Sequence, residues 1–333
     1  MRIILPFLLL LLLLATAVIV YKYSHDILLG FTKSQVVPYV LTTDDVKAGC
    51  AMIDAFAPVI SSFPLNKSVS YQLVIVFDFF LGTCIEFKAW EQELRYLRAS
   101  YANNVAEAQD ARIQQKRLLN QAAQKQLKAF HNLSFAFKEE SGRDCPDLAT
   151  AKGEFYWLTG MLGGLKAILN DLSSEGTAKV PLDIAFKVSR GIECLDNQKW
   201  WGLPRAIQAA VWVSFPGNKP ANIDPLTMLE QSIQTGLSRG MRLPQVVAVQ
   251  IYIGLGDIEQ IKNIIRHDVK RSHQFTPNPE FRFLDEVVTV QLQAVSDRLW
   301  TEATGKRTPI GGVGRFSDDP KNMVDTVDIK DIL

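Results

Sequence analysis

The chain has 333 residues, 36 Lys+Arg against 35 Asp+Glu, 47% apolar residues, four cysteines and four histidines. That length suits about two domains or one large repeat array, and its ordinary apolar content excludes wholesale disorder. A net charge of +1 leaves no basic footprint for nucleic acid, and four cysteines in this length exclude a small disulfide scaffold.

Ile3 to Val20 (IILPFLLLLLLLATAVIV) is a run of about eighteen uncharged residues, the lower edge of what spans a bilayer. Arg2 precedes it, and Tyr21, Lys22 and Tyr23 follow, the aromatic and cationic flank of a membrane interface. Ala15-Thr16-Ala17 also fits the A-x-A site of a cleaved signal peptide. Continuation of the apolar run through Val18-Ile19-Val20 favours an uncleaved anchor. Both readings send the rest of the chain across a membrane, with lipid a partner through residues 3–20. Residues 1–23 are therefore the anchor or signal peptide, and 24–42 are expected to be a linker. Ala48-Gly49-Cys50 is no lipoprotein site, because Asp44, Asp45 and Lys47 stand where an apolar run is needed.

Cys50, Cys84, Cys145 and Cys194 form no C-x-x-C, so metal spacing is absent. Four cysteines allow three pairings. Cys50–Cys84 and Cys145–Cys194 are favoured because each joins neighbouring predicted helices; four buried thiols are the alternative. Asn66-Lys67-Ser68 and Asn132-Leu133-Ser134 are glycosylation sequons that matter only in a eukaryotic secretory host.

Strand signals are scarce and helix signals many. Thr43-Asp44-Asp45 opens a helix running toward Pro64, with a kink expected at Pro58. Ser68 or Ser70 opens a second, and from there to Gly142 the chain holds no Pro and one Gly, Gly82, which implies a long helical hairpin. Tyr71 to Leu81 is almost wholly apolar, as a buried strand would be. The spacing of Phe87, Trp90, Leu94, Leu97 and Tyr101 settles on helix. Gln109 to Lys128, with Ile113, Leu118, Leu119 and Leu127, reads as a one-sided surface helix.

Asp147 starts a helix to about Asn170. Pro181, Pro204, Asp224-Pro225, Pro244, Asp257 and Asn278-Pro279 open the remaining ones, the last ending near Gly305. The prolines at 181, 204, 225 and 244 are separated by 23, 21 and 19 residues. Paired, these helices make a unit of about forty residues, the size of an antiparallel helix pair in an α-solenoid. The expected fold is all-α: a degenerate, tetratricopeptide-like helical-hairpin solenoid over residues 43–304, behind one N-terminal transmembrane helix. Residues 305–333 read as a mobile tail with a short docking segment at Val324 to Leu333.

The order of features from Tyr71 to His267, about 60% of the chain, resembles the T component of tripartite ATP-independent periplasmic (TRAP) transporters. The stretches that carry the likeness are YQLVIVFDFFLG, YLRASYANNVAEAQD, RLLNQAAQKQLKAF, EFYWLTGMLGGLKAILND, VPLDIAFKVSRGIECLD, WWGLPRAIQAAVWVSFPG and DPLTMLEQSIQTGLSRG. The family usually carries a lipoprotein cysteine where this chain has a Leu-rich anchor. The resemblance implies an accessory protein held at the inner (cytoplasmic) membrane by a single pass, its body in the periplasm. Its partner would be a substrate-binding protein or the subunits of a membrane complex, and it would work as a homo-oligomer enclosing passages for a ligand. A structural accessory subunit of an envelope complex is the alternative.

Trp200, Trp201, Arg205 and Trp212 are the candidate ligand or partner contacts, an aromatic and cationic lining on a concave face. The competing reading makes the tryptophans plugs between helical layers. Gly160, Gly163 and Gly164 lack phosphate-loop spacing, and Lys166 has no Ser/Thr after it, so they should let a second helix approach closely. Gly311-Gly312-Val313-Gly314 follows no strand and is no dinucleotide fingerprint. His267, Asp268 and His273 read as a solvated basic helix end, while His25 and His131 are isolated. No G-x-S-x-G elbow occurs, and Glu139-Glu140, Asp171 and Glu175 sit at helix ends and turns. No enzyme activity, cofactor or metal is expected.

Overall fold

Leu73 to Phe80 are buried without interruption, so this stretch of helix has no face for solvent and must be covered on every side. The computed structural model describes residues 4–62, 68–138, 144–272 and 274–320, and every regular element among them is helical. Helix α1 (Ile4–Phe31) passes through a five-residue π-helical stretch, Thr32–Val36, into α2 (Val37–Thr42). Then come α3 (Val46–Ser61), α4 (Ser68–Tyr101) and α5 (Val105–Phe137), the last two a long hairpin closed by Ala102 to Asn104. The remainder is α6 (Ala151–Ser173), α7 (Ile184–Gly191), α8 (Leu203–Ser214), α9 (Pro225–Ser238), α10 (Leu243–Leu255), α11 (Ile258–Arg271) and α12 (Arg282–Thr304).

The helix starts follow side-chain capping. Asp45 accepts from the Ala48 N–H at 2.9 Å, Asp224 from Thr227 at 3.1 Å and Asp257 from Gln260 at 3.1 Å. Each satisfies an N–H that has no partner within its own helix. Helix α6 begins later than Asp147, because the Thr150 hydroxyl accepts from Gly153 N–H at 3.0 Å and fixes the start there. Gly256 and Gly305, both at positive φ, close α10 and α12.

From α4 onward each helix packs on the next in sequence, and α12 then returns to pack against α2, α3, α4 and α10. An open solenoid does not bring its last helix back to its first. Here the return supplies part of the cover over α4: the Phe283 ring meets Phe80 edge-on, with ring centres 5.4 Å apart.

Two expectations are corrected. Residues 24–42 are not a linker: helix runs through them, and Leu29, Val36, Val37, Val40 and Leu41 are buried in the main core. Residues 305–320 are not a mobile tail. Phe316 is buried beneath the Lys262 and Arg266 side chains, Arg266 pairs with Asp319 at 2.6 Å, and the Trp300 indole donates to the Arg315 carbonyl at 2.9 Å. Gln109 to Lys128 of α5 is one-sided, as expected: its inward face is built from Ala111, Leu119, Ala122 and Ala123 together with buried Gln115 and Gln126, while Ile113 faces out. The segment Val324 to Leu333, the pair Glu139-Glu140, His273 and the Asn66-Lys67 part of the first sequon lie outside the described residues. The second sequon has Asn132 and Leu133 buried inside α5.

By length and composition α4 is a helix apolar enough to cross a membrane. Of its most apolar window, 72% is buried inside the protein, as in the core helix of a globular body.

Cys50 is joined to Cys84 and Cys145 to Cys194, at sequence separations of 34 and 49. Loops of that size lose unfolded-state entropy worth about 4 kcal/mol each in the chain-entropy account. Alkylation without reductant should therefore leave all four cysteines unmodified. Reduction should free all four and lower the thermal midpoint, read by mass spectrometry and circular dichroism. Full modification without reductant would contradict the pairing.

Arg242 ties the α9–α10 turn to α11 and α12, with Nη2 2.6 Å from Asp285 Oδ2 and Nη1 3.1 Å from Asp268 Oδ2. Burial pushes the Asp268 carboxyl above the usual range, and Asp285 adds to this, while Arg242 pulls it down. A carboxyl raised in the folded state holds its proton more tightly folded than unfolded. Its contribution is thus fully present below the unfolded value and is lost as pH rises through the folded one. Urea midpoints should show wild type losing stability relative to Asp268→Asn as pH rises above the ordinary carboxylate range. A pH-independent difference between the two would refute the assignment.

Candidate functional site

The site grows out of the point where the apolar cover of α4 stops. After Phe80 the next buried ionisable group on this helix is Glu86, which is 1% exposed. A carboxylate there needs donors, because burying an unpaired charge is costly. Gln126 of α5 donates its amide to Glu86 Oε1 at 2.7 Å. Asn170 of α6 donates to the same oxygen and, at 2.7 Å, to the side-chain Oε1 of Gln126. Lys166, one turn before Asn170, brings Nζ to 2.7 Å from Glu86 Oε2, a contact of opposite charges without aligned hydrogen-bond geometry.

Close packing of α5 on α6 places these amides. A Cβ added at Gly163 would lie 2.9 Å from the Gln126 carbonyl oxygen, so only glycine allows the two backbones this near. The glycines thus act in helix approach, as their spacing predicts. Gly160 and Gly164 meet Leu133 and Phe130 in the same seam.

Beside this network lies a cleft of about 320 Å³ between the α4–α6 layer and helices α10 and α12. Its charged lining consists of Glu86, Glu93, Arg112, Lys166 and Arg298. Arg298 stands 3.8 Å from Glu93 and 3.0 Å from Glu302. Arg112 differs: its guanidinium donates to the neutral Gln115 at 2.7 Å and lies over the Tyr96 ring at 5.3 Å. Past Lys166, Leu169, Gln250 and Gln291 the cleft meets a second, apolar cavity of about 150 Å³, walled by side chains such as Phe79, Phe80, Leu165, Val246 and Leu284. Gln291 borders both spaces, is buried, and its Oε1 has no hydrogen-bond partner.

The tryptophans named from sequence do not line this cleft. Trp200 and Trp201 are each 3% exposed and pack with Phe155 and Phe281, the Trp201 and Phe281 ring centres being 4.8 Å apart. The Trp200 indole donates to Glu154. Trp212 sits in a separate core cluster with Met228, Leu229 and Ile251, and Arg205 alone of the four is exposed. The structure therefore does not bring the four together on an open face. Large aromatic rings gain more from burial between layers, at about 25 cal/mol per Å² of apolar surface, than they would on a wet concave wall.

Asp268 serves Arg242 and not a metal, and among the described residues no group of three or more His, Cys, Asp or Glu gathers at metal-binding distance. Chemically, Glu86 is an acceptor locked by two amides and an ammonium, which suits it to positioning more than to proton transfer. The available recognition groups are Arg112 and Gln291. Comparison with family models, curated proteins and solved structures finds no match to this chain.

Breaking the Glu86 network should be expensive. Lys166→Met leaves the Glu86 carboxylate buried without its counter-charge and should cost about 3 kcal/mol. The double variant Glu86→Gln/Lys166→Met should recover most of that loss. Urea unfolding of the two single variants and the double variant checks it as a double-mutant cycle; strictly additive losses would rule the pairing out.

Proposed function

We propose that this chain is a membrane-anchored, extracytoplasmic binding and scaffold protein that works without catalysis, an accessory subunit like the T component of a TRAP transporter. The observation that carries the reading is the surface of α1. Leu12, Leu13, Val18 and Val20 are between 63% and 66% exposed on successive turns of one unbroken helix, with none of the described residues covering them. An apolar helix with no protein partner is at home in lipid, where its backbone groups satisfy one another. On this reading α1 is the uncleaved anchor and the body stands in the periplasm.

Two disulfides support an oxidising compartment. The sequential packing of α4 to α12 supports a tetratricopeptide-like helical-repeat body, closed here by the return of α12. A partner would be a substrate-binding protein or the subunits of a membrane complex, docking on the outer helical surface. The buried tryptophans are then part of the frame.

The test begins with alkaline carbonate extraction of native membranes. The full chain should stay in the pellet, and a variant lacking residues 3–20 should be released from the oxidising side. Partners that co-purify in mild detergent are then identified by mass spectrometry. A substrate-binding protein with its permease supports the transporter role. A large unrelated membrane complex would replace that role with a structural one, and release of the full chain by carbonate would overturn the anchor.

A further inference from the structure

We infer that the cleft between α4–α6 and α10–α12 is a binding site for a small amphipathic monoanion, with its apolar group in the inner cavity and its anionic head toward Arg112. Three observations carry this. The first is charge: the lining holds three cations, Arg112, Lys166 and Arg298, against two carboxylates, Glu86 and Glu93. Lys166 is held by Glu86, and Arg298 stands near Glu93. Arg112 hydrogen-bonds the neutral Gln115 and lies over the Tyr96 ring; the carboxylate that feels its charge, exposed Glu175, is itself paired with Lys116 at 2.6 Å. A guanidinium in a partly enclosed site, with no carboxylate in salt-bridge contact among the described residues, is suited to bind one anionic group, and its planar fork matches an oxyanion.

The second is an unsatisfied group. Gln291 is 9% exposed, stands where the polar and apolar spaces meet, and its Oε1 has no partner. Buried amide oxygens are nearly always hydrogen-bonded, so this one calls for a donor or, with the amide turned over, an acceptor from an occupant. The third is size. An apolar cavity of about 150 Å³ holds benzene in a protein core, and the inner cavity here is about 150 Å³. The occupant's apolar part is therefore one phenyl ring or a compact group of about six carbons, and a long lipid chain is too large for it. A polar cleft opening into an apolar end, with a few fixed polar groups, is the usual build of a small-molecule site.

This inference is independent of the anchor and of any protein partner. Each can fail while the other stands.

The experiment uses the full chain in mild detergent, which disperses it whether or not α1 enters lipid, and titration calorimetry, with the detergent buffer alone as the blank. The probes are the ω-phenylalkanoates from phenylacetate to 6-phenylhexanoate, together with the neutral amide of each. At least one acid should bind with Kd below about 1 mM, and at least tenfold more tightly than its amide. Arg112→Gln, a change on a half-exposed helix face, should lower the acid's affinity to the level of the amide. Ala210→Phe, which fills the inner cavity, should abolish binding of both. The absence of any heat across the series, equal binding of acid and amide, or an unchanged affinity in Arg112→Gln would each overturn the site. Because the comparison of acid with amide is made on the unaltered protein, it stands whether or not Ala210→Phe folds.

Discussion

The apolar half of α4 is the constraint on which the rest depends. Leu73 to Phe80 give a helix turn after turn with no polar side except Asp78, whose charge is met by Lys128 at 3.0 Å and Lys125 at 3.8 Å reaching in from α5. Such a helix is stable in water only if other elements enclose it. Helices α3, α5, α6 and α12 do so. The Cys50–Cys84 disulfide fixes α3 to α4, and Phe283 of α12 closes the remaining side against Phe80. The return of α12 that separates this fold from an open helical array follows from that need for cover.

Much of this was legible in the sequence because it was written in local chemistry. Asp224 before Pro225 and Asp257 before Ile258 mark helix starts by their own side chains, and the structure places caps there. The α4–α5 hairpin followed from a long stretch without breakers. The misreadings share one cause, tertiary contact made by residues that look polar or loose. Lys262, Arg266 and Phe316 hold residues 305–320 on α11, yet Gly-, Asp- and Lys-rich composition suggests a free tail. In residues 24–42, Val36, Val37, Val40 and Leu41 are core residues hidden behind the stronger apolar signal of the segment before them.

The cleft was illegible for a related reason. Its residues recur at helical spacing on several separate helices: Glu86, Trp90 and Glu93; Arg112, Gln115 and Leu119; Lys166, Leu169, Asn170 and Ser173; Gln291, Val295 and Arg298. Each stripe alone looks like an ordinary boundary between core and solvent. What distinguishes them is that polar members, Glu86, Gln115, Gln126, Asn170 and Gln291, fall on faces that are buried. Amides and a carboxylate on the inward face of a helix are a signal that sequence does carry, and it is stronger than adjacent tryptophans, which bury readily. Trp200 and Trp201 drew notice as large aromatics, and their size is why they went to the core.

The same wall serves α1–α2 and the cleft. Val37, Val40 and Leu41, on the helix that arrives from α1, lie with Val76, Phe77 and Phe80 around one small void. Phe80 is also a wall of the apolar cavity, where it stands with Leu284 and Val287 of α12. Helix α2 packs on α12 as well. Protein interiors are close-packed, so a shift of α2 against α4 has to be taken up by Phe80 or by α12. Because helix continues from α1 into α2, the orientation of α1 is transmitted to the body through packed side chains. The cavity is therefore built beside the part of the body that α1 enters.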